Sequence, residues 1–432
     1  MDWRTGLAAL AAGMAVHAAA ENIAWRNGRW FDGERFTNGT RYSVDARMVA
    51  SEPARVDRVI ELGGRFVVPP YGDAHHHGID GDEALEDKIT VFLEAGIFYV
   101  KNPNVIGERI TPAVRARLNG PTSVDAIFSN GGLTAPGGHP APLHDYMSRI
   151  GVFKGFGPEE MENRAYFLVA DEADLEAKWP RILAGKPDFI KTFLLFSESY
   201  DGVQPLLRET DGEPNIGLDP AVLKKIVARA HAAGLRVSTH IDTARDFRNA
   251  VDAGVDEINH LPQPDPRFSP DLSAYVIDRE TARLAAEKGI FVVTTASTTE
   301  RLSPHLPEAW KPSMRDNQRK NLRTLLDAGV HVALGSDGLS GERRFVTARQ
   351  EANFIARYKL LSNRELLRAW SIDTPRAIFP KRRVGCLGDG CEASFLVLGA
   401  DPLDDAANLH KISLRVKEGV VLPHMPRFSL VR

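Results

Sequence analysis

The middle of the chain repeats one theme, in which a helical stretch ends at glycine and a short β-rich run then ends in a polar residue. The clearest unit opens with Asp219-Pro220, an N-cap followed by proline at the first helical position, and its helix ends at Gly234. The β-rich run 235–239 follows and leads directly to His240. This alternation limits the folds that the chain can adopt.

Eight runs of this kind are predicted as strands, each with room for a helix after it. They span residues 66–73, 97–101, 123–129, 187–191, 235–240, 255–260, 290–295 and 330–334. Strands that alternate with helices form a parallel sheet, and eight such units favour an α/β fold with a closed (β/α)8 barrel, the TIM barrel. Active sites of such barrels lie at the carboxyl ends of the strands. We therefore expect the polar residues that end the runs to meet at one site.

The segments on either side of this region are rich in β-type residues. Residues 25–68 contain runs punctuated by glycine, and residues 382–422 include the apolar run 395–398. We predict that the two terminal segments pair into a small β-sandwich. The predicted organisation is a signal peptide at 1–20, sandwich segments at 21–68 and 381–432, and the barrel at 69–380.

The first twenty residues have the order of a secretory signal peptide. Arg4 precedes an apolar run from Leu7 to Val16, and three alanines at 18–20 provide a cleavage site after Ala20. The alternative is an N-terminal helix of the mature protein. We expect an exported protein, periplasmic or secreted, and a cytoplasmic one only if this segment is not cleaved.

The sequence contains two cysteines, Cys386 and Cys391, which flank a turn-like Leu-Gly-Asp-Gly run. In an exported protein they could bridge a hairpin. A single pair in a chain of this length defines no disulfide framework, so the pairing stays open.

The charge balance limits the classes of partner. The formal net charge is −3 and no basic run occurs, so nothing in the sequence indicates nucleic-acid binding. No apolar stretch after the first twenty residues is long enough to span a bilayer. We expect a small-molecule substrate and leave a homo-oligomer open.

The strongest local signal is the run 73–77, Asp-Ala-His-His-His, at the end of the first predicted strand. Side chains alternate across a strand, so His75 and His77 face the same way and can share one cation. His240 and His260 end the fifth and sixth strands, and Asp337 follows the eighth. Four histidines and a carboxylate suit a catalytic zinc site with open coordination positions.

Lys191 ends the fourth predicted strand, in the run Asp-Phe-Ile-Lys at 188–191. A bare ammonium beside bound cations would be strongly repelled. Carbamylation by carbon dioxide would convert Lys191 into an anion that can bridge two metals. The alternative is an ordinary lysine in a salt bridge at the surface.

These motifs resemble the amidohydrolase superfamily, in the branch that includes imidazolonepropionase-like and prolidase-like hydrolases. The similarity covers essentially everything after residue 21. It is carried by Asp-x-His-x-His at 73–77, Phe-Ile-Lys at 189–191, the strand-end His240 and His260, and Gly-Ser-Asp-Gly at 335–338. The tail 385–398 is similar to the C-terminal β segment of the family, with Ser394 where aspartate is often found.

The resemblance implies a hydrolase with two divalent metal ions, and zinc is the metal we favour. The implied ligands are His75, His77 and Asp337 on one metal, His240 and His260 on the other, and carbamylated Lys191 between them. A hydroxide bridging the metals would attack a carbon–nitrogen bond of an amide, cyclic amide or acylated amino acid, and Asp337 would carry the proton. The alternatives are a mononuclear deaminase or a lactone hydrolase of the same fold, and a non-catalytic barrel.

Two further residues are predicted to contact the substrate. The glycine-rich run 131–139 ends at His139, and this branch of the superfamily has a similar Gly-Gly-His loop beside its site. The alternative for this run is a flexible surface loop. Tyr200 is the second and weaker candidate. It follows the run 194–199, which departs from the glycine-rich run of dipeptide-cleaving relatives and argues against prolidase-like specificity.

Overall fold

A computed structural model of the protein describes residues 21–202, 216–265, 269, 271–301, 308–339 and 345–423. The signal peptide predicted at 1–20 lies outside the described residues, as does the end of the predicted C-terminal segment, 424–432.

The strands follow one another along the chain in this order: β1 Ile23–Phe31, β2 Phe36–Val44, β3 Arg47–Val49, β4 Arg58–Glu61, β5 Phe66–Val68, β6 Tyr71–Asp73, β7 Ile97–Asn102, β8 Asp125–Phe128, β9 Gly132–Thr134, β10 Tyr166–Leu168, β11 Ile190–Phe193, β12 Val237–His240, β13 Glu257–Asn259, β14 Phe291–Val293, β15 His331–Ala333, β16 Phe395–Leu398, β17 Ile412–Lys417 and β18 Val420–Val421.

The α-helices are α1 Leu85–Glu94, α2 Pro112–Ala116, α3 Ala141–Arg149, α4 Glu172–Ala184, α5 Pro220–Ala232, α6 Ala244–Ala253, α7 Arg279–Glu287, α8 Thr298–Arg301, α9 Trp310–Asp327, α10 Ala348–Arg357, α11 Asn363–Arg368 and α12 Thr374–Ile378. A π-helical turn, Ala369–Asp373, joins α11 to α12. None of the described helices is long and apolar enough to cross a membrane.

The two terminal segments share one eight-stranded sheet. Its order is β18-β17-β16-β5-β1-β2-β3, with β4 also paired to β1. The segments meet where β16 pairs antiparallel with β5. The rings of Trp25 and Trp30 pack edge-on against Phe395, with centroids 4.8 and 5.6 Å away. Both terminal segments contribute strands, as predicted. However, these strands form one continuous sheet, whereas the predicted β-sandwich would have two.

Parallel strands form the central part of the molecule. One sheet has the order β10-β9-β11-β12-β13-β14-β15, and another has the order β6-β7-β8. Backbone hydrogen bonds connect both edge strands of the three-stranded sheet to the seven-stranded one. They run from Ala74 N, after β6, to Leu334 O, after β15 (2.9 Å), and from Asp188 N, before β11, to Phe128 O in β8 (2.8 Å). The eight predicted runs correspond to β6, β7, β8 and β11 to β15, so the mixed α/β fold and its parallel strands are confirmed.

Two details differ from the sequence-based prediction. The run 66–73 is two strands, because Pro69 and Pro70 have no N–H to donate to a sheet. Its first half, β5, lies in the terminal sheet, and its second half, β6, lies among the parallel strands. Strand β9 lies in the glycine-rich run 131–139 and was not predicted, and neither was β10, although its Tyr-Phe-Leu run is apolar.

The helices bury the faces that their apolar spacing predicts. In α5 the carboxylate of Asp219 accepts a hydrogen bond from Ala221 N (2.7 Å), and Pro220 occupies the first turn. The buried residues of α5 are Val222, Leu223, Ile226, Val227 and Ala230, all of which recur at helical spacing in the sequence. Packing of such faces against the parallel strands holds the strand ends, and hence the site, in position.

Candidate active site

The residues predicted to bind metal converge on one cavity of about 430 Å³. His75 and His77 follow β6, Lys191 lies within β11, His240 ends β12, His260 follows β13, and Asp337 follows β15. All six line this cavity, although up to 262 positions separate them along the chain. The carboxyl ends of parallel strands meet at one edge of a sheet, and this topology brings the six together.

The first group of candidate ligands is tightly gathered. His75 Nε2 lies 3.2 Å from His77 Nε2, and Asp337 Oδ1 lies 3.4 Å from the former and 3.2 Å from the latter. These three residues form a cluster whose atoms could hold one metal ion. Two unprotonated imidazole nitrogens this close repel each other unless a proton or a cation lies between them. The donor set therefore fits a divalent cation.

Hydrogen bonds of the second ring nitrogen orient two of the histidines. Nδ1 of His77 lies 3.4 Å from the carbonyl oxygen of Asn104, and Nδ1 of His260 lies 2.7 Å from the Thr295 hydroxyl. Metal-binding histidines usually engage their outer nitrogen in this way, which leaves the other nitrogen for the metal. Nδ1 of His75 is buried and has no hydrogen-bond partner among the described residues.

His240 and His260 form the second group. Their ring centroids lie 4.3 Å apart, and the ring of His75 lies 4.8 Å from that of His260. Burial holds the pKa of both His240 and His260 well below the ordinary value. The two rings are therefore neutral, which is the form of imidazole that binds metals.

Three residues at the site have a left-handed backbone. φ is +76° at His260, +50° at Asp337 and +63° at Thr295. Residues other than glycine adopt this region uncommonly, and such conformations concentrate at functional sites. Backbone hydrogen bonds hold two of them, from His260 N to Val293 O (2.9 Å) and from Asp337 N to the carbonyl oxygen of His75 (2.7 Å).

Asp73 ties the first and last parallel strands together. Its buried carboxylate accepts hydrogen bonds from the backbone N (2.9 Å) and the hydroxyl (2.8 Å) of Ser336, and from Ala348 N (2.8 Å). These bonds fix His75 and Asp337 relative to each other. Asp73 is thus a positioning residue, whose role the sequence did not reveal because its partners lie far along the chain.

Lys191 is buried beneath the two groups, with only 1% of its surface exposed. Its Nζ donates a hydrogen bond to Asn259 Oδ1 at 2.5 Å. Burial lowers the pKa of Lys191 to about 7. The salt-bridged surface lysine considered as the alternative is therefore wrong, because Lys191 is enclosed and faces the cavity.

The two predicted substrate contacts differ in position. His139 lines the cavity, and its ring centroid lies 5.3 Å from that of His240 and 5.5 Å from that of Phe193. Tyr200 is 41% exposed, and its hydroxyl donates to Gly217 O at 3.0 Å. It does not belong to the described lining of the cavity, so only His139 stands beside the candidate ligands.

The sequence analysis missed one wall of the cavity. Apolar side chains form this wall. They come from the segment after β7, from α3 and from the loop that follows α3: Val105, Ile106, Leu143, Met147, Val152 and Phe153. His144, on α3, lines the same wall, and its Nε2 lies 3.2 Å from Asn104 Nδ2. The i, i+4 spacing of Leu143 and Met147 was the available signal.

A second cluster of acids lies elsewhere, with Asp125, Glu392 and Glu418 close together. Lys417 Nζ contacts Asp125 at 2.8 Å and Glu418 at 3.3 Å. Arg382 contacts Asp125 at 2.8 Å and Glu392 at 2.5 Å. Since buried Lys417 and partly buried Arg382 already neutralise these carboxylates, we interpret the cluster as an ion-pair network.

Histidines and a carboxylate, gathered at the carboxyl ends of parallel strands, are the arrangement of a hydrolase that binds divalent cations. Residues 181–422 match the amidohydrolase family, and this is more than half of the chain. The chain belongs to the amidohydrolase family, as the sequence motifs indicated, and is a hydrolase of the type that acts on carbon–nitrogen bonds.

Solved structures agree on the fold. An amidohydrolase is 22% identical with a TM-score of 0.68, covering 93% of this chain and 98% of its own. A prolidase complexed with N-methylphosphonate-L-proline is 21% identical with a TM-score of 0.69, and the match covers 93% of this chain and 99% of the prolidase. The ochratoxinase of A. niger is 19% identical with a TM-score of 0.70, and the match covers 93% of this chain and 96% of the ochratoxinase. No curated protein matches the sequence.

Proposed function

We propose that the protein is a binuclear metal-dependent hydrolase that cleaves the carbon–nitrogen bond of an amide, cyclic amide or acylated amino acid. The observation that carries this proposal is the convergence of His75 Nε2, His77 Nε2 and Asp337 Oδ1 within 3.4 Å, in the same cavity as His240, His260 and Lys191. We further propose that the parallel strands close into a (β/α)8 barrel. Closure is supported by the hydrogen bonds that join the end of β6 to the end of β15, and β8 to the segment before β11.

The proposed metal ligands divide into two sets with a shared member. His75, His77 and Asp337 would hold one cation, His240 and His260 the other, and a carbamate on Lys191 would lie between them. Nitrogen and oxygen donors of this kind favour zinc. When bound, such cations polarise a carbonyl group and lower the pKa of water towards neutrality.

The protein's own groups would then handle the substrate and the proton. The Asp337 carboxylate accepts the proton of the attacking water and passes it to the leaving nitrogen, which otherwise departs as an unstable anion. His139 faces the cavity on the side of His240, where its ring can donate a hydrogen bond to the substrate carbonyl oxygen as negative charge develops.

The apolar wall indicates the class of substrate. Ile106, Leu143 and Met147 line the part of the cavity beside the candidate ligands. The one arginine of the described lining, Arg109, donates through Nε to the carbonyl oxygen of Asp80 (2.7 Å), and its Nη2 lies 3.8 Å from the Asp80 carboxylate. Because this charge is compensated, we propose that one half of the substrate is a bulky apolar group.

Metal analysis and a substrate panel test the proposal. The purified protein should contain close to two divalent ions per chain, and chelation should abolish hydrolysis until Zn²⁺, Mn²⁺ or Co²⁺ is restored. Saturation at one ion with full activity would exclude the binuclear site and favour the mononuclear deaminase. Absence of activity on the whole panel of N-acyl amino acids, dipeptides, hydantoins and lactones would contradict the hydrolase itself.

Variants of α3 test the apolar group separately. With N-acyl amino acids of increasing acyl size, kcat/KM should rise from acetyl to octanoyl or benzoyl. Leu143→Asn should lower kcat/KM for the largest substrates by roughly ten-fold or more, because a polar group then faces the apolar moiety. Tyr146→Asn is the matched control, since Tyr146 lies on the same helix and is 52% exposed. Equal losses for acetyl and octanoyl substrates would refute the apolar assignment.

A further inference from the structure

A network of buried polar side chains lies below the candidate metal site. Lys191, Ser238 and Glu257 occupy neighbouring positions in β11, β12 and β13, which pair in parallel register. Asn259 lies two residues after Glu257 on β13, so it faces the same side of the strand. Lys101, from β7, completes the group. Each of the five side chains is at most 2% exposed.

The contacts determine how the amide of Asn259 is oriented. Its Nδ2 lies 2.9 Å from Glu257 Oε1, and an ionised carboxylate accepts hydrogen bonds but donates none. The amide nitrogen must therefore face Glu257. This orientation leaves Oδ1 of Asn259 to accept from Lys191 Nζ at 2.5 Å and to face the Ser238 hydroxyl at 2.9 Å.

The carboxylate of Glu257 is held in turn. Lys101 Nζ donates to Glu257 Oε1 at 2.7 Å, and the Ser238 hydroxyl lies 2.9 Å from the same oxygen. The Lys101 ammonium also lies 4.1 Å from the ring centroid of Phe189, within the range of a cation–π contact. A charged, closely packed pair thus anchors Asn259 from below, and a paired ion in such surroundings has little freedom to move.

We propose that Asn259 is a positioning residue, whose amide oxygen holds Nζ of Lys191 so that a carbamate formed there directs its oxygens into the cavity. This inference rests on the carbamylation of Lys191 in the proposed function. In that reaction the amine lone pair of Lys191 forms a bond to the carbon of carbon dioxide. One C=O π pair moves onto oxygen, and a proton leaves the nitrogen for solvent.

The nitrogen of a lysine carbamate keeps a single N–H. If that hydrogen is donated to Asn259 Oδ1, the carboxylate end must lie on the far side of the nitrogen, towards His75, His240 and His260. The opposite arrangement would bring anionic oxygens against the amide oxygen of Asn259 and the carboxylate of Glu257, where like charges repel in a buried setting. Asn259 thereby selects one orientation of the bridging group before any metal binds.

The experiment uses the full chain, stripped of metal by a chelator and reloaded with Zn²⁺ over a range of ¹³C-labelled bicarbonate concentrations. Carbamate is measured by ¹³C NMR, and zinc per chain by elemental analysis. In Asn259→Leu, which keeps the branched shape but removes the acceptor, half-maximal carbamate and zinc should require roughly ten-fold more bicarbonate, the effect expected for one lost buried hydrogen bond. If this variant fails to fold, Asn259→Ala carries the same expectation.

Thr192→Val is the matched control. Thr192 is fully buried and next to Lys191 on the same strand, but its side chain points to the opposite face. This variant should reload like the wild type. A shift as large as that of Asn259→Leu would show a general effect of disturbing β11 and would overturn the inference.

The outcomes separate the two proposals. Absence of a labelled carbamate in the wild type at any bicarbonate concentration would refute the carbamylation, and the positioning role with it. Equal carbamate and zinc in the wild type and in a folded Asn259 variant would refute the positioning role alone. A carbamate that persists in the variant while zinc is lost would support it, since the group would then form in the wrong orientation.

Discussion

Replacing Asp337 by asparagine isolates the chemistry of its carboxylate, because the backbone there tolerates both residues. Its φ of +50° lies in the left-handed region, which aspartate and asparagine adopt more readily than other side chains do. The backbone hydrogen bonds from Asp337 N to His75 O and from Arg301 Nη2 to Asp337 O (2.9 Å) do not involve the side chain. Asp337→Asn should therefore fold without the backbone strain that most other side chains would meet at this position.

The turnover should respond quite differently. Asparagine cannot accept the proton of the attacking water, and general acid–base groups typically contribute about 10² to 10⁴ in rate. We expect kcat to fall by that range while most of the metal stays bound, because His75, His77, His240 and His260 remain. In contrast, Asp337→Ala should also lose about 1 to 2 kcal/mol of stability, since alanine in this backbone region is strained.

The assay combines steady-state kinetics, zinc per chain and a urea unfolding midpoint for each variant. Asp45→Asn is the matched control, because Asp45 has a φ of +48° and lies in the hairpin between β2 and β3, away from the lining of the cavity. It should leave all three quantities unchanged. Near-normal turnover in Asp337→Asn with zinc retained would remove Asp337 from the proton transfer.

Three further predictions concern Lys191, His144 and export. Lys191→Ala should lose metal and most activity while staying folded, and a small carboxylic acid in the buffer should restore part of both. Lys191→Arg should not recover in this way, since guanidinium forms no carbamate. Full activity in Lys191→Arg would show that the lysine is structural. Burial lowers the pKa of His144 to about 3 from its ordinary 6.5. Below pH 6.5 the unfolded state therefore binds a proton that the folded state does not bind, and stability falls as the pH drops. From pH 7.5 to 5.5, His144 should lower the free energy of unfolding, measured with urea, by about 1.4 kcal/mol. In His144→Gln the decrease over this pH range should be smaller by that amount. We also propose that the protein is exported, as residues 1–20 predict; the structure pairs Cys386 with Cys391 in a disulfide, which agrees with an oxidising compartment. Expression in a Gram-negative host should yield periplasmic enzyme starting at Glu21, and active cytoplasmic enzyme with an intact N-terminus would contradict this.

The sequence alone determined the parts of this protein that depend on local periodicity. A helix that buries one face needs apolar residues at helical spacing, and a buried strand needs a short apolar run, so β6 to β8, β11 to β15 and α5 could be predicted. The strand-end residues followed from the same pattern, since a polar residue after an apolar run stands at the carboxyl end of a strand. That is why His240, His260 and Asp337 were identified before any contact was known.

Only the tertiary structure decided which partners these residues meet. Ser336 reaches Asp73 across 263 positions, and Lys101 reaches Glu257 across 156. No local pattern encodes such pairs, because they depend on how distant strands are ordered and registered in the sheet. For the same reason Tyr200 was predicted to contact the substrate but lies outside the described lining of the cavity.

The apolar wall and the orientation of Asn259 belong to this second kind of information. Leu143 and Met147 on α3 become a wall only because the helix packs over the carboxyl ends of the strands. The hydrogen bond to Glu257 orients the amide of Asn259, and the hydrogen bond from Lys101 holds the carboxylate of Glu257 in place. Periodicity placed the candidate ligands at strand ends, whereas long-range packing decided what surrounds and orients them, because buried polar groups must find partners wherever the fold provides them.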